Sequence, residues 1–425
     1  MRRYLLVIVT IAVVLSLALV GCVGTQPPSG GGETPEPTPT TPPAFEPSPA
    51  DGAKVLAGTV VTFDWSTWEE AKNAAWFRFY YSWGDCDEPG TWYFEQVPKN
   101  LCCPLETEYA TSLNQCGVFW WKVEICTEDG TAVKGPFKLC AVPGFEVTLK
   151  DEDDEVITSI TVMPGEETVD IDLDACTLPA SFVITVTATP LTEGEQQGLL
   201  CATTTYTVKL SNEAKNWFIL TPSDPSGTWD HGTIVDATTV ATVDASDVVC
   251  TAMFGKTIAT VSFTVFPDQY VGCPSCATVT HCCKTEYKVN INLEGDAPEL
   301  DLWSSCGPCG GDRECGWLVL KLDKCFDLAE GDIPAATVTI TDGERFVRLV
   351  PDSLDTATGT YYYDAETGWH FWCLDGRYEG PGMWAIEEGK SYEIEVPKGA
   401  FKFQNENGVV FGWPCADTTF TVTAN

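Results

Sequence analysis

Histidine is almost absent from this chain, with only His231, His281 and His370 among 425 residues. None lies in an HExxH pair or near a GxSxG elbow, and no Walker or Rossmann glycine pattern occurs, so metallopeptidase, serine-hydrolase and nucleotide-dependent chemistry lack their motifs. Paired acids of the glycosidase kind leave no linear signature, because they meet only in space. Basic residues are scarce too: 24 Lys and Arg stand against 61 Asp and Glu, a formal charge of −37. That balance argues against nucleic acid as a partner and repels anionic lipid head groups. Methionine is limited to four residues, and no Asn-x-Ser/Thr sequon is present. Thr, Val and aromatic residues are plentiful instead, which suits strands better than helices.

The N-terminus sets the compartment. Arg2 and Arg3 precede an apolar run from Leu5 to Val20, a signal-peptide pattern over residues 1–21. Its end, Leu19-Val20-Gly21-Cys22, resembles the lipobox of exported lipoproteins. The resemblance implies cleavage before Cys22 and a diacylglyceryl group on its sulfur. Two or three acyl chains, at about 0.8 kcal/mol per buried methylene, hold a protein to a membrane where one chain holds only marginally. The alternative, an uncleaved signal anchor, also leaves the rest of the chain outside. Residues 22–45 then carry the lipidated Cys22 and a Pro/Gly/Thr-rich linker that cannot bury a core; it reads as a semi-extended stalk of about 3 Å per residue.

Past the stalk the chain is long enough for about three domains. Period-2 runs separated by Gly, Pro, Asp and Asn predict strands. One face of Val60–Trp65 carries Val61, Phe63 and Trp65; the next run turns Phe77, Phe79 and Tyr81 inward; a third turns in Phe119, Trp121, Val123 and Ile125 and leaves Trp120 facing out. The fold class expected is all-β, tandem immunoglobulin/fibronectin III-like β-sandwich domains behind a signal peptide and Pro-rich stalk.

Residues 46–145, with PADGAKVLAGTVVTFDWS, the aromatic strand and GVFWWKVEICTEDGTAVKGPF, resemble the fibronectin type III-like modules of bacterial surface proteins, apart from a helix-like WEEAKNAAW insertion and six cysteines. Residues 147–296 alternate in the same way and match no family; one large sandwich or two small ones would fit. Residues 298–425, ending in GKSYEIEVPKGAFKFQNENG and DTTFTVTA, resemble the immunoglobulin-like domain of S-layer and other bacterial surface proteins.

Twenty cysteines in an exported chain read as disulfides. After Cys22, six fall in the first module (86, 102, 103, 116, 126, 140), seven in the middle and six in the last, so closed sets of three bridges are expected at both ends. The spacing shared by Cys273, Cys276, Cys282 and Cys283 and by Cys306, Cys309 and Cys315 also suits zinc knuckles, the weaker alternative, with His281 as a further ligand. Asp170, Asp172 and Asp174 share a strand face, which makes calcium the one cofactor suggested; otherwise none is implied. Trp120, Trp369, Trp372 and Trp384 are the candidate ligand-binding rings, because strand phase or loop position keeps them from the clear core and an exposed ring stacks on a sugar.

The sequence thus describes a non-catalytic cell-envelope lipoprotein, extracytoplasmic and held to the membrane through its lipid. Its expected work is adhesion, surface-layer attachment or envelope structure, with an envelope protein or polysaccharide as partner. The alternative is carbohydrate binding through tryptophan, and behind it a glycoside-active enzyme.

Overall fold

Strand alternation carries the architecture. The computed structural model describes residues 45–97, 106–114, 116–128, 130–166, 168–188, 203–230, 238–266, 283–304, 316–351, 361–374 and 386–425. Among them the helical segments are three short 3-10 turns, one of which, Glu69–Asn73, is the helix-like insertion. Cys22 and the stalk lie outside the described residues.

In the first sandwich the strands Val60–Asp64 and Glu108–Ser112 form a small sheet. It covers a five-stranded one ordered Ala53–Leu56, Gly130–Val142, Gly117–Thr127, Trp76–Gly84, Tyr93–Val97. The inward sets are those that alternation predicts. Phe63 of the small sheet meets Phe79 at 4.9 Å, Phe119 at 5.5 Å and Trp121 at 5.1 Å on the large one. Phe63, Trp65, Phe77, Phe79, Trp121 and Ile125 are fully buried, and each such side chain contributes roughly 1.5–3 kcal/mol by leaving water.

The middle region folds as one large sandwich of two five-stranded sheets. One holds Phe145–Lys150 and Ser181–Ala188, the other Lys256–Phe266 and Thr285–Glu294, and Phe145 stacks on Phe263 across them at 4.9 Å. The last region contains three four-stranded sheets. One takes a strand from its neighbour: Val249–Cys250, of the middle region, lies parallel to Val410–Trp413.

The bridges correct the expectation of closed sets within modules. Cys140 pairs with Cys283, Cys176 with Cys325 and Cys250 with Cys415, so each of these three bonds joins one region to the next. Cys86, Cys116 and Cys373 are also disulfide-bonded, and Cys126 is a free thiol. The junctions are packed as well as bridged. At the first, Tyr287, almost wholly buried, donates its hydroxyl to the Pro143 carbonyl at 3.0 Å.

At the second junction, buried Asn405 donates through Nδ2 to the Ala175 and Leu178 carbonyls at 2.9 and 2.8 Å, while its Oδ1 accepts from the Asn407 and Val409 amides. Phe254 packs edge-on against Phe411 at 5.3 Å beside it. Phe45–Asn425 accordingly forms a single compact unit with one hydrophobic cluster running through all three regions. Separate cores would have appeared as separate clusters.

Candidate functional site

The outer face of the first five-stranded sheet gathers the chain's scarce cations among aromatic rings. Because Phe77 and Phe79 point inward, Trp76, Arg78 and Tyr80 must point out; because Trp121 and Val123 point inward, Lys122 and Glu124 point out. Register places Tyr80 between Phe94 and Lys122, and Arg78 between Gln96 and Glu124. The Arg78 guanidinium lies 4.6 Å from the Trp76 ring and 5.4 Å from Phe94, and Lys122 Nζ lies 4.3 Å from Trp92 and 5.0 Å from Tyr80. Tyr80 donates to Glu124 Oε2 at 2.8 Å and Arg78 ion-pairs with the same oxygen at 3.4 Å.

A bulge makes room for this stack. Where the pairing of Gly117–Thr127 with Gly130–Val142 slips between Trp121 and Val123, Gly135 sits at φ +106, and a Cβ there would come within 2.8 Å of Lys122 Cβ. Each cation–ring contact at such an exposed place adds about 0.5–1 kcal/mol. The result is a laminate of amphipathic rings and held charges, the kind of surface that binds through ring faces and ionic contacts.

Of the four tryptophans expected to bind ligand, three are among the described residues, and one of these is partly open. Trp372 is fully buried, correcting its assignment: on Trp369–Cys373, His370 and Trp372 face the main core while Phe371 and Cys373 pack under Trp303 and Trp317, so neither face of that strand is free. Trp120 has the outward phase expected but is only 8% exposed, because the turn after Trp76–Gly84 folds over it and the Asp85 carbonyl accepts its indole N–H at 2.9 Å. Trp369 is half-buried against Trp303, with Lys321 Nζ 5.0 Å from its ring. Trp384 lies outside the described residues. Of the rings that do share a face, Trp76 and Tyr80 follow from the phase of Phe77 and Phe79, while Phe94 and Trp92 are brought beside them by the neighbouring strand.

Cys283 is bonded to Cys140, so it is no zinc ligand; Cys273, Cys276, Cys282, Cys306, Cys309 and Cys315 lie outside the described residues. Among the described residues one cluster has metal-ligating types, Cys176, Asp323 and Cys325, and its two sulfurs are bonded to each other. Asp170, Asp172 and Asp174 do share an exposed strand face. They stand in a row rather than a shell: Asn290 donates to Asp170, Asn292 to Asp172 and the Cys176 amide to Asp174, at 2.9, 3.0 and 2.9 Å. Successive outward residues on a strand are about 7 Å apart, too far for one calcium ion to span at its usual ligand distances.

His370 is a core residue. It is 2% exposed, its Nδ1 lies 2.7 Å from the Tyr361 hydroxyl, its Nε2 has no partner, and burial lowers its pKa to about 4. The unfolded state takes up a proton near pH 6.5 and the folded state only near 4, so stability falls as pH drops through that window, by about 3 kcal/mol in all. Comparing urea midpoints of the protein and its His370→Phe variant between pH 7 and 4 checks this. The difference in midpoint should change across the window and stay constant above pH 7.

No family model matches the chain, and no curated protein matches it. Solved structures similar to it include the FN1–FN3 domains of chicken CNTN1, at 9% identity over 89% of this chain and 98% of that one, with a TM-score of 0.17. Others are the C-terminal domain of the Streptococcus pyogenes antigen I/II-family protein AspA, at 10% identity over 66% and 98%, TM-score 0.24, and a tetra-tandem repeat from the extending region of a large adhesion protein, at 10% over 88% and 100%, TM-score 0.17. Superpositions this loose decide nothing about function, and the all-β class rests on the chain's own sheets.

Proposed function

We propose that this is an exported, lipid-anchored, non-catalytic surface protein whose bridged sandwiches form one stiff body that displays a binding face away from the membrane. The observation that carries the reading is the set of three disulfides between regions. Such bonds persist in oxidising compartments, which agrees with the leader and the Cys22 lipobox. Bonds between neighbouring regions serve to fix their relative placement. The resemblances to fibronectin type III-like and surface-layer immunoglobulin-like modules support attachment or envelope structure as the work done.

Growth with a labelled fatty acid tests the anchor. The protein should carry the label, and Cys22→Ala should lose it and leave the protein unprocessed. Unlabelled protein in the cytosol with reduced thiols would refute the reading.

A second reading, carbohydrate binding, is favoured by the Trp76–Tyr80–Trp92–Phe94 face. Aromatic stacking on that face takes the place of the expected use of Trp372.

A further inference from the structure

The junction between the first and middle sandwiches holds a second feature, unrelated to the aromatic face. Adjoining cavities of about 260 and 290 Å³ open there. Gly52 and Lys54 line them from the first sandwich, and Glu166, Thr168, Lys284, Glu286 and Lys288 from the middle one. Lys54 comes from the strand parallel to Gly130–Val142 and stands opposite Cys140; the Cys140–Cys283 bond brings the start of Thr285–Glu294 up to it. Alternation does the rest: Thr285 and Tyr287 are buried, so Lys284, Glu286 and Lys288 all face the groove.

Three ammonium groups, Lys54, Lys284 and Lys288, therefore line the groove with two carboxylates, Glu286 and Glu166, which leaves a net positive charge of one. Lys284 ion-pairs with Glu286 at 2.6 Å, and among the described residues Lys54 and Lys288 have no ion-pair partner. The Glu286 pKa is lowered chiefly by the hydrogen bond and charge of Lys284; burial opposes this, and Lys288 and Lys54 add lesser lowering contributions. In a chain of charge −37, such an excess of positive charge in a concave site attracts the opposite of what the rest of the surface attracts. The donors are point-charge ammoniums with no arginine fork, and Thr168 and Gly52 leave room beside them. The volume lies at the lower edge of small-molecule sites, the size of one ring with its substituent.

We propose that this inter-sandwich groove binds a sugar residue bearing an oxyanion, a carboxylate or a phosphate, presented by an acidic polysaccharide. The proposal does not depend on lipid anchoring, so it is tested on the oxidised chain from residue 22 onward. The probes are labelled oligogalacturonate, phosphorylated dextran and plain dextran, titrated at about 50 mM and about 500 mM NaCl, where screening lengths bracket the size of the groove. Binding to either or both charged probes, at least tenfold weaker at the higher salt, is expected, and which one binds identifies the oxyanion. Lys54→Ala with Lys288→Ala should weaken it at least tenfold more, and both positions are exposed, so the fold is spared. Lys215→Ala, at an exposed lysine outside the groove, should leave it unchanged, which separates the groove from a general effect of positive charge. Equal binding of plain dextran, no binding of either charged probe, or indifference to the lysine pair would overturn the proposal.

Discussion

Replacing Cys250 and Cys415 by Ser lowers the stability of the folded chain by about 5 kcal/mol, the expected chain-entropy value for a bond closing 165 residues. The bond lies beside the borrowed strand Val249–Cys250, and the Ala252 amide donates to Cys415 Sγ at 3.2 Å, so its loss also loosens local hydrogen bonding. The other two bonds, of separation 143 and 149, interlace with it, so they do little to shorten the loop it closes in the unfolded chain. Urea unfolding of the double variant under non-reducing conditions measures the loss. A midpoint unchanged from the parent protein would show that this junction is held by packing alone.

Asn405→Asp is the second large effect expected, at least about 3 kcal/mol at neutral pH. The new carboxylate keeps the shape of the amide but turns an oxygen toward the Ala175 and Leu178 carbonyls that Nδ2 now serves. Two buried acceptors lose their donor, and a buried negative charge gains two repulsive neighbours. Both effects raise the pKa of the new carboxyl, so the penalty is largest above that value and eases as pH falls and the group takes up a proton. Asn405→Ala should lose stability without that pH dependence. Thermal melts of both variants between pH 5 and 8 separate the cases, and an Asp variant as stable as the parent at pH 8 would contradict the account.

The strands were the legible part of this molecule. Val61, Phe63 and Trp65, or Phe119, Trp121, Val123 and Ile125, recur at every second position, and each set is buried as a set. Alternation states which way a side chain points, not what lies on top of it. Trp120 points as expected and is covered by a turn. Trp372 sits on a strand packed on both faces, where period-2 reasoning has no polar side to mark. The cysteine pairings were hidden for a different reason: six cysteines in a segment look like a closed set, yet Cys140 lies nearer in space to Cys283 than its sequence position suggests. The cation–ring face combined residues from three strands, and only register brings Phe94, Tyr80 and Lys122 into one row.

The three interlaced bonds have a consequence for wear in a harsh surrounding. Bonds 140–283, 176–325 and 250–415 overlap in turn, so every peptide link from 140 to 415 is straddled by at least one of them. A secreted protease that clips the backbone anywhere in that stretch leaves both fragments fastened together. Damage that would shed half of an ordinary string of domains here costs only one amide.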